Sequence, residues 1–262
     1  MFFSRIKSYL RFLLVSVFTA LLIVSCQSAP NTNNSSETPS TTEVEQPVAN
    51  QEKQDLDYIV ALGLMKGHLI VAKELLDLKK PEQAEPHIGH PVEELYGDIE
   101  DQLEQRKVPE FKITLNQLHD LIKTAPNSEQ ILTKYEGSMK AIDKAMTGVP
   151  ENKFNSPKFV LKVINGMLDV ANEEYTASIA NDKIVEAIEY QDSRGFAIYV
   201  KTLYDGISQE MSKQDAKSHQ TIESTLAELE KAWPSPITPE KPVLSPQKVS
   251  ELVQTIKQNS KV

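Results

Sequence analysis

The sequence predicts an all-α protein, a bundle of about seven to nine helices placed after a signal peptide and a disordered tether. Three observations carry that expectation. From about residue 55 onward, apolar residues recur at spacings of three and four, and no stretch sustains the alternation of a half-buried strand. Proline opens segment after segment, at Pro81, Pro91, Pro109, Pro157 and Pro246, where a helix tolerates it because the first turn has no amide bond to lose. The single cysteine, Cys26, excludes an intrachain disulfide, so stability must come from packing. A chain of 262 residues is long enough to bury a sizeable core.

Residues 1–25 read as a secretory signal. Arg5, Lys7 and Arg11 form a basic start, an apolar run follows from Phe12 to Val24, and Ile23-Val24-Ser25-Cys26 ends it. The run is shorter than the ~20 apolar residues of a spanning helix. This stretch resembles the bacterial lipoprotein signal, and the resemblance implies that the Cys26 thiol takes a diacylglycerol and becomes the mature N-terminus. The chain would then be membrane-anchored by lipid and extracytoplasmic. Gln27 after the cysteine implies, by the same resemblance, the periplasmic face of the outer membrane rather than the inner. Loss of three basic residues takes the formal charge from −9 to −12. So acidic a surface argues against nucleic acid and anionic lipid as partners.

Residues 26–54, with the lipidated cysteine at their head, are nearly all Ser, Thr, Asn, Gln, Pro and Glu and read as a disordered tether with a reach of about 30 Å. A helical bundle domain spans 55–233. Its first helix, 55–78, is apolar around most of its circumference, with only Lys66 and His68 interrupting Tyr58 to Ala72. A helix of that kind belongs in the middle of a bundle. Helical segments follow over 81–90 and 91–106, with the chain breaking at Gly89-His90 because Pro91 disfavours α geometry in the residue before it. His90 would then be an N-cap. Helices over 109–125, opened by Pro109, and 128–147, capped by Asn127 or Ser128, come next, before Gly148 and Pro150 stop the chain. A loop at 151–155 leads to a long helix from the Ser156-Pro157 cap to about 179. Helices over 182–207 and 215–233 complete the domain. Residues 234–262 form a strap carrying Pro234, Pro236, Pro239, Pro242 and Pro246, then a last amphipathic helix either packed on the bundle or free.

Polar residues interrupt this pattern in three helices. His68 follows Gly67 in the most apolar helix, where a buried imidazole needs partners for both ring nitrogens. His87 and His90 flank Gly89, with Glu93 and Glu94 in the first turn beyond Pro91, where the helix dipole favours acids. Asp192 falls on the apolar seam Val185, Ile188, Phe196, Tyr199, Leu203, flanked by Glu189 and Tyr190, and a carboxylate there needs a cation or donor from another helix. Arg194, two residues on, points elsewhere, whereas Gly195 permits close approach of a neighbouring helix. Two imidazoles and carboxylates suit zinc, copper or iron. Glu173-Glu174 read as a solvated edge, and His119 and His219 as surface residues.

The segments Gly67-His68-Leu69, His87-Ile88-Gly89-His90-Pro91-Val92-Glu93-Glu94-Leu95-Tyr96 and Glu189-Tyr190-Gln191-Asp192-Ser193-Arg194-Gly195-Phe196 resemble a little-characterised family of exported helical bacterial proteins, including cyanobacterial lipoproteins. The resemblance covers about residues 56–207 and implies that the three segments share one site. It names no ligand.

Catalysis has little support. The chain lacks a Gly-x-Ser-x-Gly elbow and a glycine-rich phosphate loop, and Cys26 is spent on lipid, so no catalytic residue is assigned. Two readings stay open. One is a binding protein that holds a divalent transition metal or small polar ligand through His68, His87, His90, Glu93, Glu94 and Asp192, with Glu189 and Tyr190 in support. The other is a non-catalytic interaction module of the envelope or photosynthetic membrane, in which the same polar cluster only locks helix packing.

Overall fold

Tyr58, Ile59, Val60, Ala61 and Leu62 are consecutive and at most 3% exposed, so every side of one helix is buried, as expected for an apolar helix at the centre of a bundle. The computed structural model describes residues 45–261, with side chains from residue 50. The central helix is α1, Glu45–Asp77. It begins ten residues before the expected boundary, so the last part of the segment read as tether is helical. The signal, Cys26 and the rest of that segment lie outside the described residues. No described helix is long and apolar enough to cross a membrane.

Beyond Lys79, whose left-handed backbone turns the chain, come α2, Pro81–His90, a π-helical turn, Pro91–Leu95, and α3, Tyr96–Gln105. The expected break at His90 does not occur. His90 is fully helical (φ −51°, ψ −45°), and Tyr96 N–H bonds to the Pro91 carbonyl five residues back. Pro91 has no N–H to give and crowds the preceding turn, and one wider turn absorbs both faults without ending the helix. Next are α4, Lys112–Thr124, α5, Gln130–Met146, and a single turn, α6, Glu151–Phe154, where a loop was expected. Pro109 does not open α4: that helix begins after Phe111, whose N–H is held by Tyr96 Oη at 2.9 Å.

The C-terminal half holds α7, Pro157–Ala177, α8, Ala187–Gln214, α9, Ala216–Leu229, and α10, Pro246–Asn259. Each packs on the next and α10 returns to α7, closing a four-helix ring. Lys257 Nζ pairs with Asp169 and Ser250 with Asn172, so the last helix is docked rather than free. The sequence reading missed a hairpin between α7 and α8, Ile179–Ala180 paired with Lys183–Ile184. Asn181 and Asp182 both have positive φ, the two-residue turn that matches strand twist. Two residues per strand are too few for alternation to register. The hairpin also leaves Val185 and Ile188 exposed, off the seam assigned to them. That seam instead begins at Tyr190 and Asp192 and continues through Phe196 and Tyr199.

From Gln54 to the C-terminus the chain is one compact unit, and α1 is stitched to both halves. Tyr58 Oη donates to the Ala145 carbonyl at 2.9 Å, and Lys66 reaches Asp143 at 2.5 Å. Asp55, 3% exposed, accepts from Arg106 and Lys153. Against α8 the backbones nearly touch. A Cβ on Gly195 would lie 2.1 Å from the Gly67 carbonyl oxygen, and one on Gly67 would lie 2.5 Å from the Phe196 ring. Only glycine permits this crossing. Above it, Arg194 forks onto Glu74 with bonds of 2.8 and 2.6 Å.

Candidate metal centre

The Gly67–Gly195 crossing brings His68 of α1 beside Asp192 of α8. His87 and His90, three apart and therefore on one face of α2, close the other side. His68 Nδ1 lies 2.5 Å and His87 Nδ1 2.6 Å from Asp192 Oδ1, while His90 Nδ1 lies 3.2 Å from Asp192 Oδ2. The four side chains offer ligand atoms all within 4.8 Å of one another. The His68 ring is wedged edge-on against Phe196, centroids 4.8 Å apart, and edge-on to His90 at 5.3 Å.

Burial grades across the cluster. His87, Asp192 and His68 are 0%, 4% and 5% exposed, whereas the His90 side chain is 21% exposed and faces the way out. Burial pushes the Asp192 carboxyl up, but the charge and hydrogen bonding of His68 and His87 override this and hold it well below the usual carboxylate range. Asp192 is therefore an anion in a dry place, which requires a cation beside it. Burial holds the His68 imidazole below its ordinary value against the pull of Asp192. Burial also lowers His90, but the hydrogen bond and charge of Asp192, with Glu94 and Glu174, carry it up to about 9.

His87 is constrained at both nitrogens. Its Nδ1 faces Asp192 and its Nε2 lies 2.9 Å from Gln191 Oε1. A neutral imidazole carries one proton, so only one of these contacts can be an ordinary hydrogen bond. Nδ1 meets Asp192 through a hydrogen, or through a metal cation in its place. Three imidazole nitrogens and a carboxylate oxygen form a donor set suited to zinc, iron or copper, and bonds of about 2 Å put neighbouring and opposite ligand atoms roughly 3 to 4 Å apart. The donor set suits such an ion, with His68 and His87 drawing back from the 2.5 and 2.6 Å they keep to Asp192 Oδ1.

The remaining expected site residues stand outside this group. Glu93 and Glu94 are exposed. Unbroken helix carries them past the cluster, and Glu94 acts on His90 through its charge. Glu189 is half-buried, and its pKa is raised by burial and by neighbouring acids. Tyr190 is buried but donates its hydroxyl to the Ser235 carbonyl at 3.2 Å, which ties α8 to the proline strap rather than to the cluster.

Two contributors escaped the sequence reading. Gln191 has no pattern signal, being a polar residue one step from the seam. Glu174, taken for a solvated edge, is half-buried. Burial, then the charges of Asp192, Glu189 and Glu94, push its carboxyl up to about 8. The signal for it was present, since Val160, Ile164, Met167, Ala171 and Ser178 are all buried and residue 174 continues their spacing of four and three. His119 and His219 are not free surface groups either. His119 Nε2 meets Glu85 at 2.6 Å, and His219 stacks on Tyr204, whose hydroxyl lies 3.0 Å from its Nδ1.

Comparison with known proteins gives one finding. A family model described as an iron permease-associated 4-helix bundle domain matches residues 150–262. That range holds the ring α7 to α10, and with it Asp192, Gln191 and Glu174. His68, His87 and His90 precede it. No curated protein and no solved structure matches.

Proposed function

We propose that this chain is a lipid-anchored, extracytoplasmic protein that holds one transition-metal ion through His68, His87, His90 and Asp192, and that the ion is iron, exchanged with a membrane permease. The observation that carries the reading is the convergence of three imidazole nitrogens on one buried carboxylate, contributed by three separate helices. The description of the matching family supports iron and a membrane transporter as partner. The signal at residues 1–25 and Cys26 support the anchor.

The test is metal analysis of the full chain purified in detergent, before and after dialysis against iron, zinc and copper salts. About one ion per chain is expected, and none in a His87→Ala, His90→Ala double variant. No retained ion, together with thermal unfolding unmoved by any metal, would overturn the proposal. Cys26→Ser is expected to move the protein from the membrane fraction to the soluble extract.

A second reading, the interaction module with a purely structural cluster, has its own observation. Among the described residues no buried side-chain nitrogen or oxygen lacks a partner. A proton on His87 would complete that arrangement as an ion pair with Asp192. The same metal analysis separates the two.

A further inference from the structure

Five consecutive residues of α8 face two structures. Asp192 points to the histidines, while its neighbours bind the start of the proline strap. Tyr190 Oη donates to the Ser235 carbonyl at 3.2 Å, Gln191 Nε2 to the Pro236 carbonyl at 2.9 Å, and Arg194 to the Trp233 carbonyl. Ser193 Oγ accepts from Trp233 Nε1 at 2.6 Å.

Gln191 is the member that touches both. Its amide nitrogen lies against the Pro236 carbonyl and, at 3.4 Å, against Gln83 Oε1. Turning the amide over would set its oxygen against the Pro236 carbonyl oxygen, which cannot donate, so the orientation is fixed. Its Oε1 therefore faces His87 Nε2 at 2.9 Å and can only accept. A hydrogen must sit on His87 Nε2. The lone pair of the neutral ring is then on Nδ1, directed at the point where His68, His90 and Asp192 converge.

We infer that Gln191, held by the strap backbone at Pro236, is a positioning residue that locks His87 in the Nε2–H tautomer, so that the metal is taken at Nδ1. The inference rests on the proposed metal-binding function and deepens it. Outer hydrogen bonds of this type orient a ligating imidazole, and their loss costs ~10- to 100-fold in metal affinity. The strap is thereby part of the site although it supplies no ligand.

The test uses full chain labelled with ¹⁵N-histidine, with Zn(II) as probe. Affinity is read by competition with a chromophoric chelator, and the tautomer from long-range ¹H–¹⁵N correlations of the imidazoles. Wild type is expected to show His87 with a protonated Nε2 and a metal-bound Nδ1. Gln191→Leu is expected to bind Zn(II) ~10- to 100-fold more weakly. Gln191→Glu keeps an acceptor at Nε2 but loses the donor to the Pro236 carbonyl, and is expected to bind Zn(II) with an affinity between those of wild type and Gln191→Leu. A Ser235→Gly, Pro236→Gly variant leaves every ligand and Gln191 in place but loosens the strap, and is expected to weaken binding several-fold.

If wild type binds Zn(II), and Gln191→Leu binds it equally with the same tautomer, the inference falls and the proposed function stands. If wild type binds no metal, the proposed function falls and takes the inference with it. Should Gln191→Leu lose its native circular dichroism, the other two variants decide. A loosened strap with no effect on affinity, or a wild-type His87 whose Nε2 carries no hydrogen, would overturn it.

Discussion

The two walls of the cluster differ in kind. The wall built from α1 and α2 supplies three imidazoles and lies outside the range matched by the permease-associated family. The wall built from α8, inside that range, supplies one carboxylate and the amide that orients His87. Neither wall is a site alone. The difference teaches that the matched ring α7 to α10 carries the anion, and that the His68 imidazole reaches it because α1 lies on α8 at the Gly67–Gly195 crossing. An ion held between the two walls, as proposed, would stabilise their packing.

The strongest way to break this comparison is to remove the single anion. Asp192→Ala is expected to abolish metal retention and to cost about 3 to 5 kcal/mol in denaturant unfolding, because several imidazoles lose the buried charge they face. Metal retained by this variant would show that the histidine wall suffices. Next in size is Gly195→Ala, which touches no ligand. Its methyl group collides with the Gly67 carbonyl, so the helices must separate. A loss of about 3 kcal/mol is expected, together with loss of the ion, and retention of full metal affinity would uncouple docking from binding.

A smaller effect sharpens the contrast. Arg194→Lys keeps the charge but loses the fork on Glu74, and is expected to cost about 1 to 2 kcal/mol. Measured metal affinity should fall in parallel, since Glu74 and His68 lie on the same helix. The last concerns pH. Glu174 has a folded pKa of about 8 against an ordinary 4.5, facing Asp192, Glu189, Glu94 and His90. Folding therefore favours its protonated form. The stability this contributes is full below about pH 4.5 and is lost as pH rises through about 8. Glu174→Gln is expected to flatten that decline in thermal unfolding of metal-free protein measured from pH 5 to 8.

The fold class was legible because helical period survives single interruptions: the apolar circumference of α1 read directly, as did Phe196 and Tyr199 on α8, whereas beyond them the buried face runs through Tyr204 and Ile207 rather than Leu203. The polar intruders were legible too, since His68, His87, His90 and Asp192 each sit where a bundle has no use for them. What could not be read was anything fixed by hydrogen bonding between remote segments. Gln191 owes its role to the Pro236 carbonyl, 45 residues away, and no local pattern marks it. Glu93 and Glu94 were over-read because a helix break at Pro91 would have folded them back toward the histidines. The π turn removes that break. Glu174 was under-read because charge outweighed spacing in judging its face.

That turn also separates two duties along one stretch of chain. Upstream, His87 and His90 reach the cluster. Downstream, Tyr96, Ile99 and Leu103 are fully buried and hold α3 in the core. A regular α-helix would tie the two phases together. The wider turn over 91–95 takes up one surplus residue, so loss of a single codon there, Val92 for example, would leave a plain helix with everything beyond it in its present phase. The histidines would stay in place and Tyr96, Ile99 and Leu103 would still face the core, whereas the same deletion inside the regular part of α3 would turn the residues after it by about 100°. The segment thus absorbs one added residue locally, so that neither the histidine face nor the core face of the chain has to change for it.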